Sequence, residues 1–144
     1  MVAGAIAAQK HRLAPRFTTD LDLLVRWDDR LAAAFEADGF EVTALADPGE
    51  HPHLVLLRRP DAKVDLIVAI VDYQHLAIDR GLATHVLTVE DVIVHKLIAW
   101  RPKDQDDLAS ILAAGPVLDH DYLDHWVQEW EVEDRWQEAR DFGR

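Results

Sequence analysis

The feature that most constrains the fold is a change in hydrophobic periodicity near residue 88. Before that point the chain has four apolar runs of strand length, at residues 21–25, 40–45, 53–58 and 63–71. From Val89 onward the apolar residues recur at helical spacing, with Val92, Ile93, Leu97 and Ile98 on one face. We therefore expect an α/β (α+β) fold, with a small mixed β-sheet flanked by helices and a helical C-terminal third.

Local signals place the remaining elements. Helices are predicted over residues 2–9, 31–37, 73–79, 103–113, 121–129 and 133–142, and a short strand over residues 85–88. The runs 53–58 and 63–71 are separated by a short turn-forming segment and predict a hairpin. Because no repeat or linker interrupts the pattern, we expect a single domain over 1–144, with the sheet in 1–88 and the helical part in 89–144.

Composition excludes several classes of site. The chain has no cysteine, which rules out disulfides and thiolate metal ligands, and no apolar run approaches the length of a membrane span. The apolar N-terminus is not preceded by a basic segment, so a signal peptide is not expected and we predict a cytoplasmic location. A net charge of −12 argues against broad nucleic-acid binding, because phosphate backbones are held by clustered Lys and Arg.

The segment from Arg16 to Val25 carries two aspartates at alternate positions. Side chains alternate along a strand, so Asp20 and Asp22 are predicted on one face and the intervening leucines on the other. Two carboxylates on one face repel each other unless a cation lies between them, and Mg²⁺ prefers such oxygen ligands. Alternatively, both aspartates are solvated residues at the end of a strand.

Asp65 is a single acid within an otherwise apolar strand. Burying a carboxylate without a partner costs roughly several kcal/mol, so we expect a group that compensates the charge of Asp65. A metal shared with Asp20 and Asp22 would compensate it, and three acids on neighbouring strands would hold two metal ions about 4 Å apart for phosphoryl transfer. Exposure to water, or a pair with Lys63, is the alternative explanation.

A resemblance to a known superfamily joins these motifs. A glycine in a small-residue helix, then Arg-x-Thr-x-Asp-x-Asp from residue 16, then a lone strand aspartate, resembles the nucleotidyltransferase superfamily typified by DNA polymerase β. Residues 90–107 contain Glu-Asp-x-x-x-x-Lys-x-x-Ala-x-Arg-x-Lys-Asp-x-x-Asp, which is similar to bacterial nucleotidyltransferases related to the abortive-infection type of toxin. The resemblance covers roughly residues 2–112. One departure is Ala3-Gly4-Ala5, where the superfamily usually has Gly-Gly or Gly-Ser.

The resemblance implies a nucleotidyltransferase-like fold, an activity and a set of site residues. The activity is Mg²⁺-dependent transfer of a nucleoside monophosphate from a nucleoside triphosphate to a hydroxyl of a protein, a tRNA or a small molecule, in a toxin–antitoxin or defence role. The implied catalytic and metal-binding residues, for two Mg²⁺ ions, are Asp20, Asp22 and Asp65. The implied nucleotide-binding residues are Gly4, Arg16, Thr18 and Lys96, and the secondary site residues are Arg101, Lys103 and Asp104.

Two other functions stay open at this stage. A degenerate domain that keeps the fold and binds a cognate protein partner is consistent with the altered glycine segment. A purely structural interaction domain would use the tryptophans of the C-terminal third, where Trp126 and Trp130 are four residues apart and share a helix face. Those side chains are expected in the core or in a homodimer contact.

Overall fold

The computed structural model describes residues 1–14 and 17–142, and within them it has four strands and seven helices. In chain order these are α1 (Gly4–Gln9), β1 (Asp20–Val25), α2 (Arg30–Ala37), β2 (Glu41–Leu45), β3 (Leu54–Arg59), β4 (Ala62–Val68), α3 (Asp72–Gly81), α4 (Val89–Ala99), α5 (Pro102–Ala113), α6 (His120–Glu129) and α7 (Glu133–Phe142). The predicted mixed α and β architecture with a helical C-terminal third is confirmed.

The four strands form one mixed sheet in the order β1-β4-β3-β2. The predicted hairpin is present: β3 and β4 are antiparallel, and Arg59 pairs with Ala62 across a two-residue turn. Strand β1 lies beside β4 in parallel, with Asp22 paired to Asp65. This parallel pair sets the position of the candidate site, because residues in register on neighbouring strands project to the same face.

The two faces of the sheet bury separate apolar clusters. On one face Val55, Leu57, Leu66 and Val68 pack beneath helix α2, which contributes Phe35. On the other face Leu24 joins a larger cluster that includes buried residues of α1, α3, α4, α5, α6 and α7. The larger of the two clusters therefore joins β1 of the sheet to the C-terminal helices.

A buried carboxylate ties three of these helices together. Asp91 of α4 is fully buried and accepts hydrogen bonds from the Tyr122 hydroxyl of α6 at 2.6 Å and from the Thr88 hydroxyl at 2.7 Å. Arg80 of α3 lies 3.4 Å from Asp91 Oδ2, and its guanidinium stacks 3.7 Å above the centre of the Tyr122 ring. These contacts fix α4, one wall of the candidate site, relative to α3 and α6.

The N-terminus differs from the helix predicted over residues 2–9. Residues 1–3 are extended and run beside β1: the Leu24 amide donates to the Met1 carbonyl at 2.8 Å, and the Ala3 amide to the Asp22 carbonyl at 2.9 Å. Helix α1 therefore begins only at Gly4. These backbone bonds hold Gly4 directly beside Asp22.

Two strand predictions also need correction. Strand β4 ends at Val68 rather than at residue 71, because the amides of Ile70 and Val71 donate to the Gln74 side chain at the start of α3. Residues 85–88 do not form a strand. Val86 makes only an isolated bridge with Val2, since His85 has a φ of +56° and Thr88 already caps α4. Within the described residues, the structure has no helix long and apolar enough to cross a membrane.

Candidate active site

A polar cleft opens at the point where α1 begins beside the parallel strand pair. It has a volume of about 290 Å³ and lies between the segment 17–19 and the junction of α4 with α5. Nine of the ten predicted site residues line it: Gly4, Thr18, Asp20, Asp22, Asp65, Lys96, Arg101, Lys103 and Asp104. The tenth, Arg16, lies outside the described residues. The structure therefore gathers residues from four separate stretches of sequence into one cleft.

Asp22 and Asp65 form the centre of this cleft. They are paired in register on β1 and β4, and both are half-buried. Burial raises the pKa of Asp22 above its ordinary value of 3.8, and the negative charge of Asp65 raises it further. A hydrogen bond from the Ala5 backbone and the charges of Lys103 and Arg101 act in the opposite direction.

Asp65 has an oxygen that the fold leaves without a hydrogen bond. Its Oδ1 atom is buried and accepts none from the described residues. Arg58 Nη1 lies 2.7 Å away, but that nitrogen donates to the carbonyl oxygens of Leu57 and Val64, each at 3.0 Å. The contact with Arg58 is therefore electrostatic, and it supplies only part of what a buried carboxylate requires.

Gly4 is the residue where the backbone approaches this pair most closely. Its φ of +57° lies in the left-handed region that favours glycine. A Cβ atom at this position would overlap the Asp22 carboxylate, with Oδ2 as its nearest neighbour. The single glycine in Ala3-Gly4-Ala5 is therefore required by both the backbone conformation and the position of Asp22.

Lys96 is in the cleft wall but is committed to other groups. Its side chain is 5% exposed, and its ammonium donates to Asp107 at 2.6 Å and to Asp104 at 3.2 Å. Arg12 also contacts Asp107, which joins the end of α1 to the same cluster. In this arrangement Lys96 holds α4 against α5, and the two carboxylates neutralise part of its charge.

Arg101, Lys103 and Asp104 line the cleft, and Asp104 also has a structural role. Asp104 accepts from the Arg101 amide at 3.2 Å and from its Nε at 2.6 Å, which caps the first turn of α5. The Arg101 side chain is 59% exposed, and Lys103 is also exposed. These two residues therefore bring exposed positive charge to the rim of the cleft.

Asp20 lies two residues before Asp22 on the same face and is exposed. Its Oδ1 accepts from the Thr19 hydroxyl at 3.1 Å, and the Thr18 hydroxyl donates to its backbone carbonyl at 3.4 Å. Among residues 1–14 and 17–142, no group of three or more histidine, aspartate or glutamate side chains is placed to hold a metal ion. The sharing of cations by all three aspartates stays a prediction.

The residues present nevertheless fit Mg²⁺ in their chemistry. The donors are carboxylate oxygens, which Mg²⁺ prefers, and one of them, Oδ1 of Asp65, is a buried oxygen without a hydrogen bond. A divalent cation between Asp22 and Asp65 would remove the repulsion that raises the Asp22 pKa. Asp22 and Asp65 are thus suited to one ion, with Asp20 available beside them for a second.

The sequence analysis gave no site role to two residues that shape the site, Asp107, the last residue of the 90–107 motif, and Arg58. Asp107 binds Lys96, and the signal was its spacing three residues after Asp104, which puts both acids on one helix face. Arg58 approaches Asp65 from β3, and the alternation of that strand places it on the face of Asp65.

Comparison with known proteins adds no relative to this description: no protein-family model matches the chain, and neither does any curated protein.

Proposed function

We propose that the chain is an Mg²⁺-dependent nucleotidyltransferase, which moves a nucleoside monophosphate from a nucleoside triphosphate to a hydroxyl acceptor and releases pyrophosphate. The observation that carries the proposal is the pairing of Asp22 with Asp65 beside a glycine that has no room for a side chain. Two adjacent, half-buried carboxylates are costly in a folded protein, and an ion-binding role accounts for that cost. The resemblance in the sequence motifs supports the same activity.

The three aspartates bind the metal ions, and one of them also accepts a proton. Asp20, Asp22 and Asp65 would hold two Mg²⁺ ions, which when bound supply neutralisation of the phosphate charge. Asp65 takes the proton of the acceptor hydroxyl as the acceptor oxygen bonds to the α-phosphorus. The bond from that phosphorus to the bridging oxygen breaks, and pyrophosphate leaves with the electron pair.

The other cleft residues position the substrate. Gly4 leaves room for the Asp22 carboxylate at the start of α1, and Thr18 lines the same cleft. Arg101 and Lys103 supply accessible positive charge at the rim. Lys96 acts as a positioning residue, since it orders the α4–α5 junction that carries both of them. Because the reaction needs cellular triphosphates, we place it in the cytoplasm, in a toxin–antitoxin or defence setting as the motif resemblance suggests.

A catalytically degenerate module that acts through a protein partner is the second candidate. Two observations favour it: the segment Ala3-Gly4-Ala5 lacks the second glycine or serine of the superfamily, and Lys96 is bonded to two carboxylates. Such a module would keep the cleft without binding triphosphate productively.

Calorimetric titration separates the two candidates. ATP, GTP, CTP and UTP are titrated into the protein with Mg²⁺ and, in parallel, with EDTA. If the chain is a transferase, at least one triphosphate binds saturably in the presence of Mg²⁺. This binding is lost when EDTA replaces Mg²⁺, and it is lost in the Asp22→Asn variant. A matched control is Asp28→Asn, which removes an acid in the loop before α2, away from the cleft. Absence of binding for all four triphosphates would favour the degenerate module.

A further inference from the structure

A second cavity adjoins the polar cleft at the aspartate pair. It has a volume of about 350 Å³ and shares six lining residues with the first: Gly4, Asp22, Asp65, Lys96, Arg101 and Asp104. Its remaining wall comes from the sheet and from the last turns of α4. The aliphatic side chains that line it are Ala3, Leu54, Ile67, Ile98 and Ala99. Asp22 and Asp65 therefore line both the polar cleft and a cavity that has an aliphatic wall of its own.

The polar groups around the second cavity are largely committed to each other. The described lining has two cations, Lys96 and Arg101, which both bind Asp104, and two further aspartates, so acids outnumber cations here. Burial lowers the pKa of His95, which favours the neutral ring, and its Nδ1 lies 2.7 Å from the Asp91 carbonyl. Because a carbonyl only accepts, Nδ1 carries the proton, and Nε2 is a buried acceptor without a hydrogen bond among the described residues.

We propose that this second cavity is the acceptor site, and that the acceptor is a hydroxyl on a compact apolar group, such as a phenol or an aliphatic alcohol. This inference rests on the proposed function and narrows its acceptor. The aliphatic wall takes the body of the molecule, and its hydroxyl lies toward Asp65, the residue assigned to receive the proton. A volume of about 350 Å³ is of the size that holds a small molecule or one side chain.

The same observations argue against an RNA end as acceptor. A terminal ribose brings at least one phosphate, and phosphates are held by accessible Lys and Arg. The described lining of this cavity has aliphatic side chains and three aspartates but only two cations, so its charge is unfavourable for a phosphate. The net charge of −12 adds long-range repulsion toward a polyanion.

The test is a titration followed by the methyl resonances of Leu54, Ile67 and Ile98, on the full chain without nucleotide or Mg²⁺. The probes are p-cresol, N-acetyltyrosine amide and the trinucleotide CCA. We expect p-cresol to shift these methyl signals saturably and CCA to leave them unchanged. A response to N-acetyltyrosine amide as well identifies a tyrosine side chain as the source of the hydroxyl, and a response to p-cresol alone identifies a free small molecule.

Two alanines give a matched pair of variants. Ala99 and Ala113 are each the exposed last residue of a helix, but only Ala99 lines the second cavity. Ala99→Phe is expected to weaken p-cresol binding by about tenfold or more, since it fills the cavity mouth, whereas Ala113→Phe leaves the affinity unchanged. Equal affinity in both variants, absence of any p-cresol shift, or a shift with CCA alone would overturn the proposal.

This titration is independent of the nucleotide. Saturable p-cresol binding in a protein that binds no triphosphate would refute the transferase and leave the cavity as a binding site for apolar hydroxyl compounds without an acceptor role. Triphosphate binding without a p-cresol response would refute the acceptor assignment and leave the transferase standing.

Discussion

Asp22 and Asp65 are register partners on adjacent parallel strands, so two half-buried carboxylates face the same cleft. Burial and the charge of Asp65 together raise the Asp22 pKa. The protein therefore carries a like-charge contact at neutral pH that is offset only in part, by Arg58 beside Asp65 Oδ1 and by the charges of Lys103 and Arg101. The consequences of this contact are measurable in the free protein.

Removing the charge of Asp22 is expected to stabilise the fold. A carboxyl whose pKa is raised by folding contributes stability below its ordinary value of 3.8, and that contribution is lost as the pH rises through the raised pKa. The Asp22→Asn variant has no carboxyl group to ionise at this position, so it does not lose this stability as the pH rises. Its free energy of unfolding should exceed that of the wild type at pH 7, and the difference should shrink toward pH 4. Urea unfolding at both pH values measures this.

Asp20→Asn is the control for that comparison. Asp20 lies on the same strand and face but is exposed, so its substitution should change stability by no more than about 0.5 kcal/mol. A decrease in stability of Asp22→Asn at pH 7 would contradict the account of the carboxylate pair.

Gly4→Ala should destabilise the protein and disturb the cleft. Gly115 has a similar φ of +63° but open space around it, so Gly115→Ala measures the backbone strain alone, about 1–2 kcal/mol. Gly4→Ala adds the overlap with Asp22, which should cost about 1–3 kcal/mol more. Equal losses in the two variants, measured by urea unfolding, would show that Asp22 is not held against Gly4.

Lys96→Met should cost about 3–5 kcal/mol of stability, because it leaves two buried carboxylates, Asp104 and Asp107, short of their shared cation. Lys103→Met removes an exposed charge and should change stability by no more than about 0.5 kcal/mol. For triphosphate binding we expect Lys103→Met to weaken affinity directly. A fully stable Lys96→Met protein would contradict the structural role assigned to Lys96.

Tyr122→Phe should destabilise the helical part by about 1.5–3 kcal/mol, since it removes a 2.6 Å hydrogen bond to the buried Asp91 carboxylate. Tyr73→Phe removes only longer contacts of 3.3–3.4 Å, to His95 Nδ1 and the Asp91 carbonyl, and should cost about 0.5–1.5 kcal/mol. Thermal unfolding of both variants measures which one loses more stability. A larger loss in Tyr73→Phe than in Tyr122→Phe would contradict the role assigned to Asp91.

The sequence alone predicted which side chains share a face, because strand alternation is a local property. It placed Asp20 and Asp22 together and identified Asp65 as an acid in need of compensation. The register that pairs Asp22 with Asp65 was not predictable in this way. That register depends on parallel pairing between strands distant in sequence. The position of Gly4 was not predictable either, because it depends on the hydrogen bonds of the extended residues 1–3 to β1.

The role of Lys96 shows a second limit. Helical periodicity placed it on α4, but its partners come from α5 and its environment depends on how the two helices cross. A single amphipathic pattern specifies which face is buried and not which charged groups meet there. The short strand predicted at residues 85–88 is absent for a related reason, since Val86 pairs only with Val2 of the N-terminal segment and Thr88 caps α4.

The most direct test of the central claim is a count of bound divalent ions by the electron paramagnetic resonance signal of free Mn²⁺, used in place of Mg²⁺. We predict that the wild type, in the absence of nucleotide, removes free Mn²⁺ saturably, and that Asp22→Asn and Asp65→Asn each lose this binding. The control Asp28→Asn should behave as the wild type. Equal Mn²⁺ binding in all four proteins, or none in the wild type, would contradict the assignment of Asp22 and Asp65 as metal ligands.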